Sequence, residues 1–144
     1  MRYILIIVAA VFISACSNPK HEKSTKTEEI HKAHDSNVTL INGQKWKVDF
    51  STYKGVQNMK ELMDGINSSS TLSDYRKLGA DLQNELRNIF KTCDMTGEAH
   101  NQLHNYLHPI VAFIKELNES DLSKCKSTAN SLKTHLDEYE LYFK

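Results

Sequence analysis

The sequence predicts an all-α protein: an antiparallel four-helix bundle preceded by a short β-hairpin and a flexible tether. In four successive segments between residues 51 and 144, apolar residues recur at alternating spacings of three and four. That spacing is typical of amphipathic helices. Short polar stretches join the segments, as expected for helices that reverse direction from one to the next. One strong turn dipeptide, Asn42-Gly43, precedes all four.

The N-terminal segment is predicted to be a cleaved signal peptide over residues 1–15. Its apolar run, residues 3–12, is too short for a membrane-spanning helix, which needs roughly twenty residues. The tetrapeptide Ile13-Ser14-Ala15-Cys16 resembles the lipobox of bacterial lipoproteins. This resemblance implies cleavage before Cys16, acylation of Cys16 and anchoring by several acyl chains. By analogy with that class, Ser17 implies the outer membrane, with the domain facing the periplasm. An ordinary signal peptide with a coincidental cysteine is the alternative.

Residues 16–37 are predicted to be the lipid anchor and its flexible tether. Ile30 is the one large apolar residue after Cys16 in this stretch, so it cannot bury enough surface to offset the entropy lost on ordering. The whole chain has 18 basic and 18 acidic side chains and a formal net charge of zero. Such a balance lacks the basic surface that nucleic-acid binding requires. The membrane is therefore the predicted partner, with a second envelope protein as a further one.

Residues 38–50 are predicted to form the β-hairpin. The runs VTLI and QKWKV flank Asn42-Gly43, and this dipeptide accepts the positive φ angles of a type I′ turn. An isolated hairpin is marginal in water. We therefore expect Trp46 to pack against the helices that follow.

The helical domain is predicted to span residues 51–144. Its second helix begins at Thr71 or Ser73, with Asp74 three residues after Thr71 as in a capping box. Its third helix contains Pro109, which is expected to kink it or divide it into two. The predicted apolar stripes are Val56, Met59, Met63 and Ile66 in the first helix; Tyr75, Leu78, Leu82, Leu86, Ile89 and Cys93 in the second; Leu103, Leu107, Ile110, Ile114 and Leu117 in the third; and Leu122, Cys125, Ala129, Leu132, Leu136, Tyr139 and Phe143 in the fourth.

The histidines of the third helix mark the candidate site. His100, His104 and His108 recur every four residues, so they share one helical stripe. The phase of that stripe places His108 mostly outward. In an antiparallel bundle, His135 of the fourth helix lies level with His104. Cys93 and Met95, at and just after the end of the second helix, lie at the same end of the bundle as these histidines. The predicted metal ligands are His100, His104 and His135, with Cys93 or Met95 as sulfur donors.

Imidazole suits copper and zinc, and sulfur ligands shift the preference toward cuprous copper. The alternative is that these histidines only fill the edges of amphipathic helices. The same geometry places Cys93 and Cys125 roughly 30 Å apart, whereas a disulfide needs Cα atoms within about 7 Å. Either the two thiols are unpaired, or the third helix breaks at Pro109 and the topology differs.

Two stretches resemble a group of small bacterial envelope lipoproteins with a helical-bundle domain. They are residues 42–48, NGQKWKV, and residues 97–109, GEAHNQLHNYLHP. The resemblance implies a binding role in the periplasm connected with heavy metals, and it supplies no catalytic residue.

Three functions follow as hypotheses. The first is a membrane-tethered lipoprotein that binds copper or zinc. The second is a structural or interaction lipoprotein of the envelope with no small ligand. The third is a haem b-binding bundle with Met59 and His135 as axial ligands, in positions similar to those of haem-binding four-helix cytochromes. No nucleophile–base pair and no paired catalytic carboxylates emerge from the spacing, so we expect a binding protein and not an enzyme.

Overall fold

The computed structural model describes residues 37–144. These residues are mostly helical, which confirms the all-α class. The long helices are α1 (Phe50–Met63), α2 (Leu72–Thr92), α3 (Gly97–Glu116) and α4 (Leu122–Asp137), and a single turn, α5 (Tyr139–Tyr142), follows. The predicted signal peptide, the lipidation site Cys16 and the predicted tether up to residue 36 lie outside the described residues.

The four long helices enclose one apolar core. Helices α1 and α3 each pack against both α2 and α4, and α2 also contacts α4, which gives a helical-bundle-like fold. Gly55 of α1 faces Ile89 of α2 so closely that an added Cβ would overlap the Ile89 side chain. Among the predicted stripe residues, Leu122 is exposed and Ile66 is only half-buried. None of the helices between residues 37 and 144 is both long enough and apolar enough to span a bilayer.

Helix α1 begins where Asp49 caps it. The Asp49 carboxylate accepts hydrogen bonds from the Thr52 backbone N–H at 2.7 Å, from the Thr52 hydroxyl at 3.0 Å and from the Ser51 hydroxyl. An N-cap carboxylate satisfies N–H groups that have no partner within the helix. Burial alone would raise the pKa of Asp49, but these hydrogen bonds outweigh it and hold the pKa below the ordinary value of 3.8.

Replacing Asp49 with alanine is expected to lower the free energy of unfolding at neutral pH by about 0.5–2 kcal/mol. Because the pKa of Asp49 is depressed in the folded protein, its contribution is fully present above about pH 4 and is lost as the pH falls through the folded-state pKa. Urea unfolding at several pH values checks this. Asp49→Asn keeps a capping oxygen but cannot titrate, so it serves as the control. A difference between wild type and Asp49→Ala that stays constant down to pH 2 contradicts the prediction.

Helix α2 begins with the predicted capping box. The Thr71 hydroxyl accepts from the Asp74 backbone N–H, and the Asp74 carboxylate accepts from the Thr71 backbone N–H. Helix α3, in contrast, is not divided at Pro109 and runs without interruption from Gly97 to Glu116. A proline inside a helix removes one backbone hydrogen bond. In α3, Tyr106 and Ile110 on either side of Pro109 are both fully buried. We attribute the continuity of the helix to this packing, which offsets the missing backbone hydrogen bond.

The predicted hairpin is not confirmed as a pair of strands. Asn42 and Gly43 have φ angles of 51° and 77°, and Ile41 and Gln44 exchange backbone hydrogen bonds of 3.0 and 2.9 Å. Within residues 37–144, however, pairing of extended segments is limited to this bridge and a second, parallel one between Trp46 and Phe143. The second run thus pairs with the first only at Gln44, next to the turn, and its Trp46 pairs with the C-terminal segment.

Burial of Trp46 accounts for this pairing. As the sequence predicts, Trp46 joins the core, where its side chain is only 8% exposed. Its backbone N–H donates to the Tyr142 carbonyl at 2.7 Å, and its carbonyl accepts from the Lys144 N–H at 2.9 Å. Its indole N–H donates to the Thr39 carbonyl. The indole therefore gains apolar burial that an isolated hairpin does not provide.

Candidate metal centre

The turn between α2 and α3 brings the candidate residues together. Helix α2 ends with Cys93 as its C-cap, whose backbone N–H donates to the Ile89 carbonyl at 2.9 Å. Helix α3 begins at Gly97, which adopts a positive φ of 69°. Because only the short segment 93–96 separates the two helices, the last turn of α2 lies beside the first turns of α3.

His100 is held in one orientation by a backbone carbonyl. Its Nδ1 lies within hydrogen-bond distance of the Met95 carbonyl oxygen. A carbonyl oxygen can only accept, so Nδ1 carries the hydrogen and the neutral ring keeps a lone pair on Nε2. This is the arrangement in which metal-ligating histidines are usually fixed, with the second ring nitrogen donating to a carbonyl or carboxylate.

His104 lies one turn further along α3 and faces His100. The two Nε2 atoms are 2.6 Å apart, and the imidazole rings stack with centroids 4.5 Å apart and planes 18° apart. Since His100 Nε2 is the acceptor, His104 Nε2 carries the hydrogen in this hydrogen bond. Phe90 of α2 stacks in turn on the His104 ring, with a centroid distance of 5.8 Å.

A cavity of about 230 Å³ lies beside the two imidazoles. Its walls include the apolar side chains of Ile89, Phe90, Leu103 and Leu107. Cys93 lines the same cavity together with His100 and His104. Three of the five predicted ligands thus share one cavity.

The Cys93 thiol is half-buried and unbonded to another sulfur. It also forms a side-chain hydrogen bond with Asp49 that contributes to lowering the pKa of that carboxyl group. The thiol therefore lies between the start of α1 and the cavity beside α3.

His135 lies elsewhere, in the packed core. Its Nε2 is 2.9 Å from the Tyr106 carbonyl oxygen and therefore donates to it. Its ring stacks on Tyr106 with a centroid distance of 4.5 Å, and its own carbonyl accepts from the Tyr106 hydroxyl at 3.0 Å. Tyr106 and His104 are two residues apart and so project from nearly opposite sides of α3. The structure does not bring His135 to the cavity that His100 and His104 line.

The remaining predicted residues take different positions. Met95 is half-buried next to the core, and its backbone carbonyl orients His100. His108 is exposed, as its helical phase predicts. Met59, the alternative haem ligand, is fully buried in the core. A haem between Met59 and His135 would therefore have to displace core side chains and the hydrogen bond from His135 to Tyr106.

The second thiol is buried at the start of α4. Cys125 is fully buried, unbonded, and 3.6 Å from the Leu117 carbonyl oxygen. Burial raises the pKa of its thiol, and the nearby carboxylates of Asp121 and Glu119 add to that effect. A buried thiol that donates to a carbonyl behaves as a small apolar side chain.

Several parts of this site have no local signal in the sequence. The Met95 carbonyl, the stacked ring of Phe90 and the walls contributed by α2 depend on how α2 and α3 dock. Across residues 37–144, no group of three or more histidine, cysteine, aspartate or glutamate side chains is already arranged to hold a metal ion. What the cavity offers is a pair of imidazoles in contact through their Nε2 atoms, with Cys93 among the other lining residues.

Comparisons of the chain with protein-family models, with curated proteins and with solved structures find no match.

Proposed function

We propose that this protein is a lipoprotein of the outer membrane, anchored through acylated Cys16, that binds a transition-metal ion, copper or zinc, in the periplasm. The ligands proposed are Nε2 of His100 and Nε2 of His104, with the Cys93 sulfur as a third donor. We further propose that the four helices form an antiparallel bundle that holds this site. The protein would act as a binding protein, and we assign it no catalytic residue.

The orientation of the His100 ring is the observation that supports this proposal most. The hydrogen bond from Nδ1 to the Met95 carbonyl leaves the Nε2 lone pair directed at His104. A ligand that is already held in the correct tautomer loses less entropy when it binds a metal. Stacking of Phe90 on His104 restricts the second imidazole in the same way.

Metal binding requires only a small movement of the two rings. Metal–nitrogen bonds of about 2.0–2.1 Å place two tetrahedral ligands roughly 3.3 Å apart, whereas the two Nε2 atoms are 2.6 Å apart in the structure. The hydrogen that His104 Nε2 carries moves through solvent to Nδ1 of the same ring, so the imidazole stays neutral and Nε2 gains a lone pair for the metal. His104 is exposed, so a shift of this size requires no rearrangement of the buried core.

The other predicted ligands enter this proposal differently. Met95 contributes its backbone carbonyl, and its thioether, in the adjoining turn, is the alternative sulfur donor to Cys93. The Nε2 atom of His135 donates to the Tyr106 carbonyl within the core, so we propose a structural role for this residue. An interaction lipoprotein without a small ligand is the competing function, and it assigns no role to the His100–His104 pair.

Metal titration of the full-length chain in detergent micelles tests the proposal, with a competing chelator and with Zn²⁺ or copper ions as the probe. His104→Ala is expected to weaken binding by at least about 10- to 100-fold, the range found when histidine ligands lose even their supporting contacts. His104 is exposed, so this variant is expected to fold normally. Circular dichroism provides the check on folding.

His108→Ala is the matched control, because His108 is an exposed histidine one turn further along α3. We expect this variant to bind the probe as wild type does. Sub-micromolar binding that survives unchanged in the double variant His100→Ala/His104→Ala would place the metal elsewhere in the chain and overturn the proposed site.

A further inference from the structure

We propose that the site selects a soft monovalent cation, cuprous copper, over divalent zinc, with the Cys93 thiolate completing the ligand set. This inference rests on the proposed function, and it adds the identity of the ion. Three properties of the cavity support it: the charge of its walls, the sulfur donor and the small number of ligands.

The walls of the cavity are apolar and carry no carboxylate. Ile89, Phe90, Leu103 and Leu107 surround the two histidines, and neutral imidazoles cannot compensate a positive ion. The cost of moving an ion into a medium of low dielectric constant rises with the square of its charge. On the side of the ion that these apolar side chains cover, a divalent ion therefore loses about four times as much hydration free energy as a monovalent ion of similar size.

With Cys93 bound as a thiolate, the charge of the ligand atoms alone balances a monovalent ion. A divalent cation would need a second negative charge, and no carboxylate is among the residues that line the cavity. Asp49 is the carboxylate in contact with the Cys93 side chain, and its oxygens already accept hydrogen bonds from Ser51 and Thr52. Because these oxygens already accept hydrogen bonds, Asp49 is a poor additional ligand for a divalent ion.

The donor types point to the same ion. Thiolate ligands favour cuprous copper among the ions that imidazole also binds. Structural zinc sites almost always use four protein ligands, whereas cuprous copper is stable with two or three. The cavity provides two imidazoles and one thiol, which matches the lower number.

The binding step involves no change of oxidation state. The bond between Cys93 Sγ and its hydrogen breaks, the proton passes to solvent, and the electron pair left on sulfur forms the bond to copper. The two Nε2 lone pairs form the other two bonds. Copper has to arrive as the cuprous ion, because no electron is transferred in this step.

Competition titrations on the full-length chain in micelles test the selectivity. The probes are Cu⁺ under reducing, oxygen-free conditions with a cuprous-specific chelator, Ag⁺ as a monovalent ion that resists redox change, and Zn²⁺. We expect Cu⁺ to bind at least about 100-fold more tightly than Zn²⁺, a difference of roughly 2.7 kcal/mol. Cys93→Ser is expected to weaken Cu⁺ binding by at least about tenfold and to weaken Zn²⁺ binding by a smaller factor.

Cys125→Ala is the control, because it removes a thiol that is buried away from the cavity. It should leave Cu⁺ affinity unchanged. If Zn²⁺ binds as tightly as Cu⁺ and both ions are lost in His104→Ala, the selectivity is wrong while the proposed function stands. If the His100→Ala/His104→Ala variant binds every ion as wild type does, both proposals are wrong.

X-ray absorption of the Cu⁺-loaded wild type provides a second reading that does not depend on how Cys93→Ser folds. We expect one sulfur scatterer and two imidazole nitrogens around copper. A first shell without sulfur overturns the role of Cys93.

Discussion

Tyr106→Ala is expected to lower the free energy of unfolding by about 3–5 kcal/mol, the range for removing a large buried aromatic side chain. Tyr106 is fully buried. Its ring stacks on His135 and makes edge contacts with Tyr139 and Phe143 at centroid distances of 5.4 and 5.5 Å. Alanine would leave a cavity where α3 meets α4 and the C-terminal segment.

Tyr106→Phe is the matched control for this substitution. It keeps the ring but removes the hydroxyl that donates to the His135 carbonyl at 3.0 Å, so the expected loss is about 1 kcal/mol. Urea unfolding monitored by circular dichroism measures both variants. Equal losses in the two variants would show that the ring contacts contribute little, contrary to this prediction.

His135→Ala is expected to lower the free energy of unfolding by about 2–4 kcal/mol while leaving metal affinity unchanged. The imidazole is buried between Tyr106 and Phe113, and its Nε2 donates to the Tyr106 carbonyl. Its removal creates a cavity and deletes a buried hydrogen bond. The affinity is to be measured under conditions in which the variant remains folded.

His104→Ala provides the opposite combination. Because His104 is exposed, the free energy of unfolding should change by no more than about 0.5 kcal/mol, while the metal affinity falls. The two variants thus separate a structural histidine from a ligand. A loss of metal affinity in His135→Ala comparable with that in His104→Ala would return His135 to the ligand set predicted from the sequence.

The helices were predictable because their signals are local. The spacing of apolar residues gave four helical segments, the Thr71–Asp74 pair gave the start of α2, and Asn42-Gly43 gave the turn with two positive φ angles. The outward position of His108 also followed from its helical phase alone. Each of these features depends on residues within a few positions of one another.

The features that depend on docking were not predictable. Pairing of Trp46 with Phe143 joins residues nearly a hundred positions apart, and no local pattern encodes it. Pro109 was expected either to kink the third helix or to divide it, and the helix is not divided, because the packing of the buried residues around Pro109 helps to decide whether a helix continues.

The position of His135 shows the same limit more sharply. Counting residues along two antiparallel helices gives the height of His135, but not how far each helix is rotated about its axis. That rotation turns His135 onto Tyr106 and away from the side of α3 that carries His104.

The central claim is that Nε2 of His100 and Nε2 of His104 bind the metal. Nuclear magnetic resonance of the histidine ring nitrogens, recorded on the full-length chain during titration with Ag⁺, tests this claim most directly. We predict that the Nε2 signals of His100 and His104 shift together and stop shifting at one equivalent of Ag⁺ per protein. The ring signals of His135 and His108 should not move. Unchanged signals of His100 and His104 at saturating Ag⁺, or a shift centred on His135, would contradict it.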